Sequence, residues 1–230
     1  MEKKEMEQGS QDMLKLSKEI SRKSFLKGMG KTIAGFTVLG GVGTVLAGCS
    51  ADAAAGVTAS AAPAWPFEYE KIDADKAAQR AYDSYKSGRG WGYGVADGFF
   101  GTLADEVGYP FNQVPPEAFI NQSGGFQQAT LCGCLGTAAA CLGTVLEDDE
   151  QKAAMIEMIR WYKDFPFPEV QPAGLDLPTT IAESELCGVS VGKFMEVQGC
   201  AYGDDERKER CAGVTADTTK KLVELLNETL

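Results

Sequence analysis

The chain has 230 residues, of which 44% are hydrophobic and 24% charged, proportions that suit a soluble domain with a substantial core. Its formal net charge of −11 argues against nucleic acid as a partner, because that affinity comes largely from Lys and Arg neutralising phosphates. Histidine is absent, which removes Ser-His-Asp and Cys-His catalysis, imidazole-held zinc and the CxxCH attachment of c-type haem.

Residues 1–48 read as a leader. A polar, basic start gives way to an apolar, Gly-rich run from Ile33 to Ala47, too short for a membrane span of about 20 residues but right for the apolar region of a signal peptide. It ends in Leu46-Ala47-Gly48-Cys49, which resembles a bacterial lipobox, where cleavage leaves Cys49 as a lipidated N-terminus. Upstream, Ser21-Arg22-Lys23-Ser24-Phe25-Leu26-Lys27 resembles a twin-arginine (Tat) export signal with Lys in place of the second Arg. That route carries folded proteins, often with a cofactor already inserted. Residues 49–69, small, polar and punctuated by Pro, read as a flexible tether. The expected location is the outer face of the cytoplasmic membrane in a bacterial cell envelope, held by the lipid.

From Asp73 onward the pattern is helical. Asp73 or Asp75 can cap a segment with Ala77, Ala81, Tyr82 and Tyr85 on one face, stopped at Gly88. Val95, Phe99, Leu103 and Val107 form a second stripe, closed by Gly108 and Pro110. Pro115-Pro116-Glu117 opens a short helical turn, and the cysteine-rich stretch runs on to Leu146 as a nearly uncharged, hence buried, helix. Residues 150–163 alternate apolar and charged side chains at helical period. "FPFPEVQPAGLDLP" is a connector whose prolines exclude helix. Helices follow over 183–198 and 204–227. The expected fold is all-α, one compact bundle of about five to six helices over residues 70–230.

Six cysteines follow Cys49: Cys132, Cys134, Cys141, Cys187, Cys200 and Cys211. In an exported protein they could form disulfides, or fill the core as free thiols. Cys134 and Cys141 share a helix face built of Ala, Leu and Gly, so Cys141 reads as packing. Cys132, Cys187 and Cys211 each fall near a helix N-terminus or in its first two turns, where unpaired N–H groups favour thiolate. Each is followed by a small residue, Gly133, Gly188 or Ala212, leaving room for backbone to approach a bulky sulfur-bridged centre. The Cys-x-Cys of 132 and 134 is not the CxxC of redox thiols or zinc ribbons.

Three stretches, "GYPFNQVPPEAFINQSGGFQQATLCGCLG", "LPTTIAESELCGVSVGKFMEVQG" and "ERKERCAGVTADTTKKLVELLN", together resemble the split-Soret cytochrome c group and its wider relatives, the C-GCAxxG-C-C redox-active proteins. The resemblance covers roughly Ala77 to Asn227 and is sharpest at Leu131-Cys132-Gly133, Leu186-Cys187 and Arg210-Cys211-Ala212. It implies a helical fold and an iron-sulfur centre on Cys132, Cys187 and Cys211. The departures remove the haem: CxxCH is missing, Leu-Cys-His-x-Ser stands here as Leu186-Cys187-Gly188-Val189-Ser190, and Trp91 and Gly92 lie where a further Cys is expected. The fourth ligand is expected at Cys134, then Cys200, then a carboxylate or water. The cluster is expected as 2Fe–2S, with 4Fe–4S as the alternative.

Rival motifs carry less. Ser190-Val191-Gly192-Lys193 fits SxxK, but so does Ser24-Phe25-Leu26-Lys27 in the leader, and no strand-rich half accompanies it. "LEDDEQ" and "GDDERKERC" place acids at helix starts, as the dipole favours. The leading functional reading is a lipid-anchored, haem-free electron carrier, not an enzyme, with an unidentified redox protein as partner and a homodimer as an option. The alternative is a disulfide-stapled helical lipoprotein that binds a partner without a redox cofactor.

Overall fold

The computed structural model describes residues 62–230; the expected signal peptide, Cys49 and most of the expected tether lie outside the described residues. Helix α1 (Ala74–Ser84) starts where its cap dictates: the Asp73 carboxylate accepts from the backbone N–H groups of Asp75 and Lys76 at 2.9 and 3.0 Å. It buries Ala77, Ala78, Ala81 and Tyr82 and unwinds through a wide turn at Tyr85–Arg89. The second predicted helix is split by a wide turn at Asp97–Gly101 into α2 (Trp91–Ala96) and α3 (Thr102–Glu106). This split gives seven helices among the described residues where five to six are expected. Val95, Phe99 and Leu103 of the predicted stripe are fully buried, whereas Val107 is exposed because the chain turns away at Gly108.

Helix α4 (Gly133–Val145) and helix α5 (Asp148–Asp164) follow, α5 opening on a reciprocal capping box between Glu147 and Glu150. The Pro-rich connector contributes a minimal antiparallel ladder, Pro166 opposite Ile181 and Phe167 opposite Thr180. Phe167 is fully buried among Trp161, Tyr162 and Phe165. Helix α6 spans Cys187–Gln198 and ends on left-handed Gly199. The predicted start at residue 183 is corrected: Glu183 is left-handed with φ 53°, and residues 185–187 bond across to another segment instead of winding.

Helix α7 (Asp205–Thr229) is the axis of the fold, about 38 Å long at 1.5 Å per residue. Every residue from 209 to 219 is buried although many are polar. Its threonines satisfy themselves on the preceding turn: Thr215 donates to the Cys211 carbonyl and Thr219 to that of Thr215, both at 2.9 Å. Neighbouring helices come close because they lack side chains at the contact. A Cβ on Gly94 would lie 2.6 Å from Thr215 Cγ2 and one on Gly98 2.7 Å from Ala81 Cβ. Ahead of α1, Trp65 Nε1 donates to the Gly143 carbonyl and Phe67 N–H to that of Thr144, both at 2.8 Å, and Tyr69 donates to Asn227. Residues 62–72 thus form a strap on the domain, and the fold begins ahead of residue 70. No helix among the described residues is long and apolar enough to cross a membrane.

Candidate metal centre

Two helix N-termini are lashed together here. Leu131 and Leu186 form an isolated antiparallel bridge. Across it the Cys132 N–H donates to the Glu185 carbonyl at 2.9 Å and the Cys187 N–H to that of Thr130 at 2.7 Å. Cys132 is therefore the N-cap of α4 and Cys187 the first residue of α6. Both sulfurs stand at the positive ends of helix dipoles. The segment delivering Cys132 is strained: Phe126, Gln127 and Ala129 all have positive φ, a cluster of non-glycine outliers of the kind found beside functional sites. Cys211 arrives from the second turn of α7, and Cys134 from the first turn of α4, its sulfur 3.6 Å from Thr215 Oγ1.

All four of these cysteines are buried and free, and they sense one another electrostatically. Cys132 is pulled down to about 6, chiefly by a hydrogen bond from the Cys134 thiol, with further help from the Tyr162 hydroxyl, the Cys134 N–H and the Arg210 charge. Cys134 is pushed up by burial and by its neighbour Cys132, and Cys187 up to about 12 by burial and the charges of Cys132 and Cys211. One thiolate forms readily in this pocket, and further negative charge has to be balanced by a cation.

Protein cations already face the group. Arg210, 1% exposed, donates from Nη2 to Ser190 Oγ at 2.6 Å, and Ser190 is hydrogen-bonded to Tyr162 at 3.1 Å. Tyr162 donates to Ser190 Oγ, and its hydroxyl also bears on the Cys132 sulfur. One turn earlier Arg207, also buried, donates from Nε to the Tyr202 carbonyl at 2.5 Å and stacks on that ring at 4.2 Å. Both guanidinium groups favour the charged form of Cys187. Among the described residues neither has a carboxylate partner, and Arg207 Nη1 and Arg210 Nε have no hydrogen-bond acceptor. Buried Glu209, by contrast, is matched by Tyr82 and Lys86. Two unmatched buried cations beside four thiols are what an anionic thiolate-held group would complete.

The donor set also constrains the kind of group. Among the described residues no three His, Cys, Asp or Glu side chains close tightly enough to share one metal ion. A single tetrahedral ion with metal–sulfur bonds of about 2.3 Å needs sulfurs within roughly 4 Å of one another. A polynuclear centre, whose ligands attach to different metal atoms, has no such need.

The other sequence expectations resolve as follows. Cys141 is fully buried in the apolar core, away from the other thiols, as packing predicts. Cys200 follows the end of α6, is half-buried, and its thiol is pushed up by burial and by Asp204 and Glu206, with no other cysteine among the causes. None of the six cysteines after Cys49 is in a disulfide. The glycines after the cysteines serve a different purpose from the one expected. A Cβ on Gly133 would lie 2.3 Å from the Gln122 carbonyl oxygen, and one on Gly188 3.1 Å from Ala129 Cβ, so they admit protein backbone and side chain. SxxK fails as a catalytic pair, because Ser190 is held by Arg210 and Tyr162 while Lys193 pairs with Glu183 at the surface. Sequence reasoning gave no role to Tyr162, Arg207 or Arg210, although Arg210 lies within the Arg210-Cys211-Ala212 stretch.

The chain is similar to known proteins in sequence and in fold. The family model described as "Putative redox-active protein (C_GCAxxG_C_C)" matches residues 93–225. The chain is 31% identical over 218 residues to the split-Soret cytochrome c of Desulfovibrio desulfuricans (strain ATCC 27774 / DSM 6949 / MB), covering 90% of this chain and 78% of that protein. The solved structure of the split-Soret cytochrome c from Desulfovibrio desulfuricans ATCC 27774, described as having a novel iron centre, superposes with a TM-score of 0.68 at 32% identity over 71% of each chain.

Proposed function

The chain belongs to the C_GCAxxG_C_C family of redox-active proteins, and from that premise we propose that it is an electron carrier whose iron-sulfur cluster is held by Cys132, Cys187 and Cys211, with Cys134 as fourth ligand and no haem. The observation that carries the reading is the pairing of four buried free thiols with two buried guanidinium groups that lack carboxylate partners. A thiolate-held iron-sulfur centre carries net negative charge and supplies one-electron transfer. The chain's own residues do the rest. The bridge at Leu131 and Leu186 fixes two ligands side by side. The Cys134 N–H and Tyr162 direct donors at the Cys132 sulfur, Arg210 does so at that of Cys211, and the two arginines favour the more negative state of the site. Donors and cations of this kind raise a cluster's reduction potential.

The absence of histidine and of CxxCH supports a haem-free centre even though the relative is a cytochrome. The leader and lipobox support a lipid-anchored protein on the outer face of the cytoplasmic membrane, meeting a redox partner protein there. The test is anaerobic reconstitution followed by iron and sulfide analysis and visible and paramagnetic spectroscopy. Iron and sulfide in equal amounts, lost in Cys132→Ala, Cys187→Ala and Cys211→Ala but retained in Cys141→Ala, is the expected result, and the iron count separates 2Fe–2S from 4Fe–4S. A protein that takes up iron without sulfide, or equally well without Cys187, refutes the reading.

A further inference from the structure

Beside the thiol group lies a cavity of about 350 Å³ lined by Tyr85, Lys86, Gly90, Trp91, Arg207 and Lys208. We propose that this cavity binds a small aromatic anion, one or two fused rings bearing a carboxylate. Its volume lies at the lower end of small-molecule clefts. The charge on its wall is unusual for a chain of net charge −11, since three cations line one cavity. Two are matched, Lys86 by Glu209 and Lys208 by Asp205. The third, Arg207, is 6% exposed, has no carboxylate partner among the described residues, and keeps Nη1 without an acceptor.

The apolar part of the cavity is aromatic. Tyr85 meets Trp91 edge-on, ring centroids 5.5 Å apart, and the Arg207 guanidinium lies 5.7 Å from the Trp91 ring. An anion-bearing ring matches this combination of π surface and unmatched cation. Inorganic phosphate would leave the aromatic wall unused. The floor is bare backbone: Gly88 and Gly90 have φ of 89° and 87°, and a Cβ on Gly88 would meet no atom within 4 Å. Behind Gly90 sits a second unmatched polar group, the buried Ser123 hydroxyl, 2.5 Å from where a Cβ of Gly90 would be. Tyr85 and Arg207 belong to both the cavity wall and the electrostatic surroundings of the cysteines, so a bound ring lies next to the proposed cluster. Binding itself does not require iron.

The experiment titrates the full-length protein, iron-loaded and iron-free, with 2-naphthoate, its neutral methyl ester and sulfate by calorimetry. The expected result is one site for 2-naphthoate in both forms, with Trp91→Leu and the rim variant Lys208→Glu each weakening it at least tenfold. The neutral ester should bind at least tenfold more weakly. No binding of 2-naphthoate, equal binding of the ester, or unchanged affinity in both variants overturns the proposal. Competition by sulfate at comparable affinity also overturns it, by making the cavity a plain oxyanion site. Because iron-free protein is included, a failure of the cluster reading leaves this result interpretable.

Discussion

Replacing Arg210 by Met tests whether a buried cation is held in readiness for an anionic group. Arg210 is fully buried, bonded to the Ser190 hydroxyl, close to the Cys211 sulfur, and in no salt bridge with a carboxylate. In iron-free protein the substitution forfeits one hydrogen bond, about 1 kcal/mol, together with the attraction for the Cys132 thiolate, which can take up a proton instead, and it relieves the desolvation of a buried charge, several kcal/mol in the opposite sense. Met fills much of the same volume between Phe167 and Phe194, whose rings lie 5.9 and 5.8 Å from the guanidinium. The iron-free variant should therefore be at least as stable as the wild type. In loaded protein the same change removes the partner of a buried anion, which costs about 3–5 kcal/mol. The difference between the two states corresponds to metal binding weakened by at least a hundredfold, at 1.4 kcal/mol per factor of ten. Urea unfolding of both proteins in both states measures all four quantities, and the loaded variant should also show a lower reduction potential. Equal destabilisation in the two states refutes the reasoning and reduces Arg210 to a packing residue.

Gly133→Ala places a methyl group 2.3 Å from the Gln122 carbonyl oxygen, a backbone atom that cannot swing aside. It should cost about 1–3 kcal/mol and loosen iron retention by displacing Cys132, read as a lower unfolding midpoint and faster loss of iron to a chelator. Asp217, on α7, accepts from the N–H groups of Glu169 and Val170, yet burial pushes its carboxyl up to about 7. A pKa raised on folding stabilises below the unfolded value and is lost as pH rises through the folded one. Wild-type stability should thus fall between about pH 4 and 7 by at most about 4 kcal/mol relative to Asp217→Asn, whose unfolding midpoints across that range should lack this component. Cys49→Ser should leave the protein unlipidated and free of membranes on fractionation; undiminished membrane association would show that the apolar run itself is the anchor.

The helices were legible because each carries its own local signal: the Asp73 cap, the stripe of Val95, Phe99 and Leu103, the acids that open α5 and α7. Three ligand candidates were legible because a helix start can be read from sequence and Cys132, Cys187 and Cys211 all fall near one. What surrounds them was not. Tyr162, Ser190 and Arg210 meet from three helices, and nothing in the neighbourhood of any one announces the others. Helix α7 looks polar enough for the surface and lies at the centre, because its threonines bond to their own helix and its charges are matched or await a partner. The helix predicted from Glu183 failed for a related reason. Cross-chain bonds to Cys132 and Thr130 outweighed local preference, and they set the geometry of the site.

The central position of α7 also governs the order in which the molecule can come into being. A chain is synthesised from its N-terminus, so the helix that most of the others pack around emerges after them. Until Asp205–Thr229 is free, the Gly94 and Gly98 faces of the earlier helices have nothing to close upon, and Cys132, Cys134 and Cys187 wait without Cys211. Closure of this core therefore waits for α7. A chain truncated ahead of Asp205 should have neither core nor centre, a clean loss instead of a partly working protein.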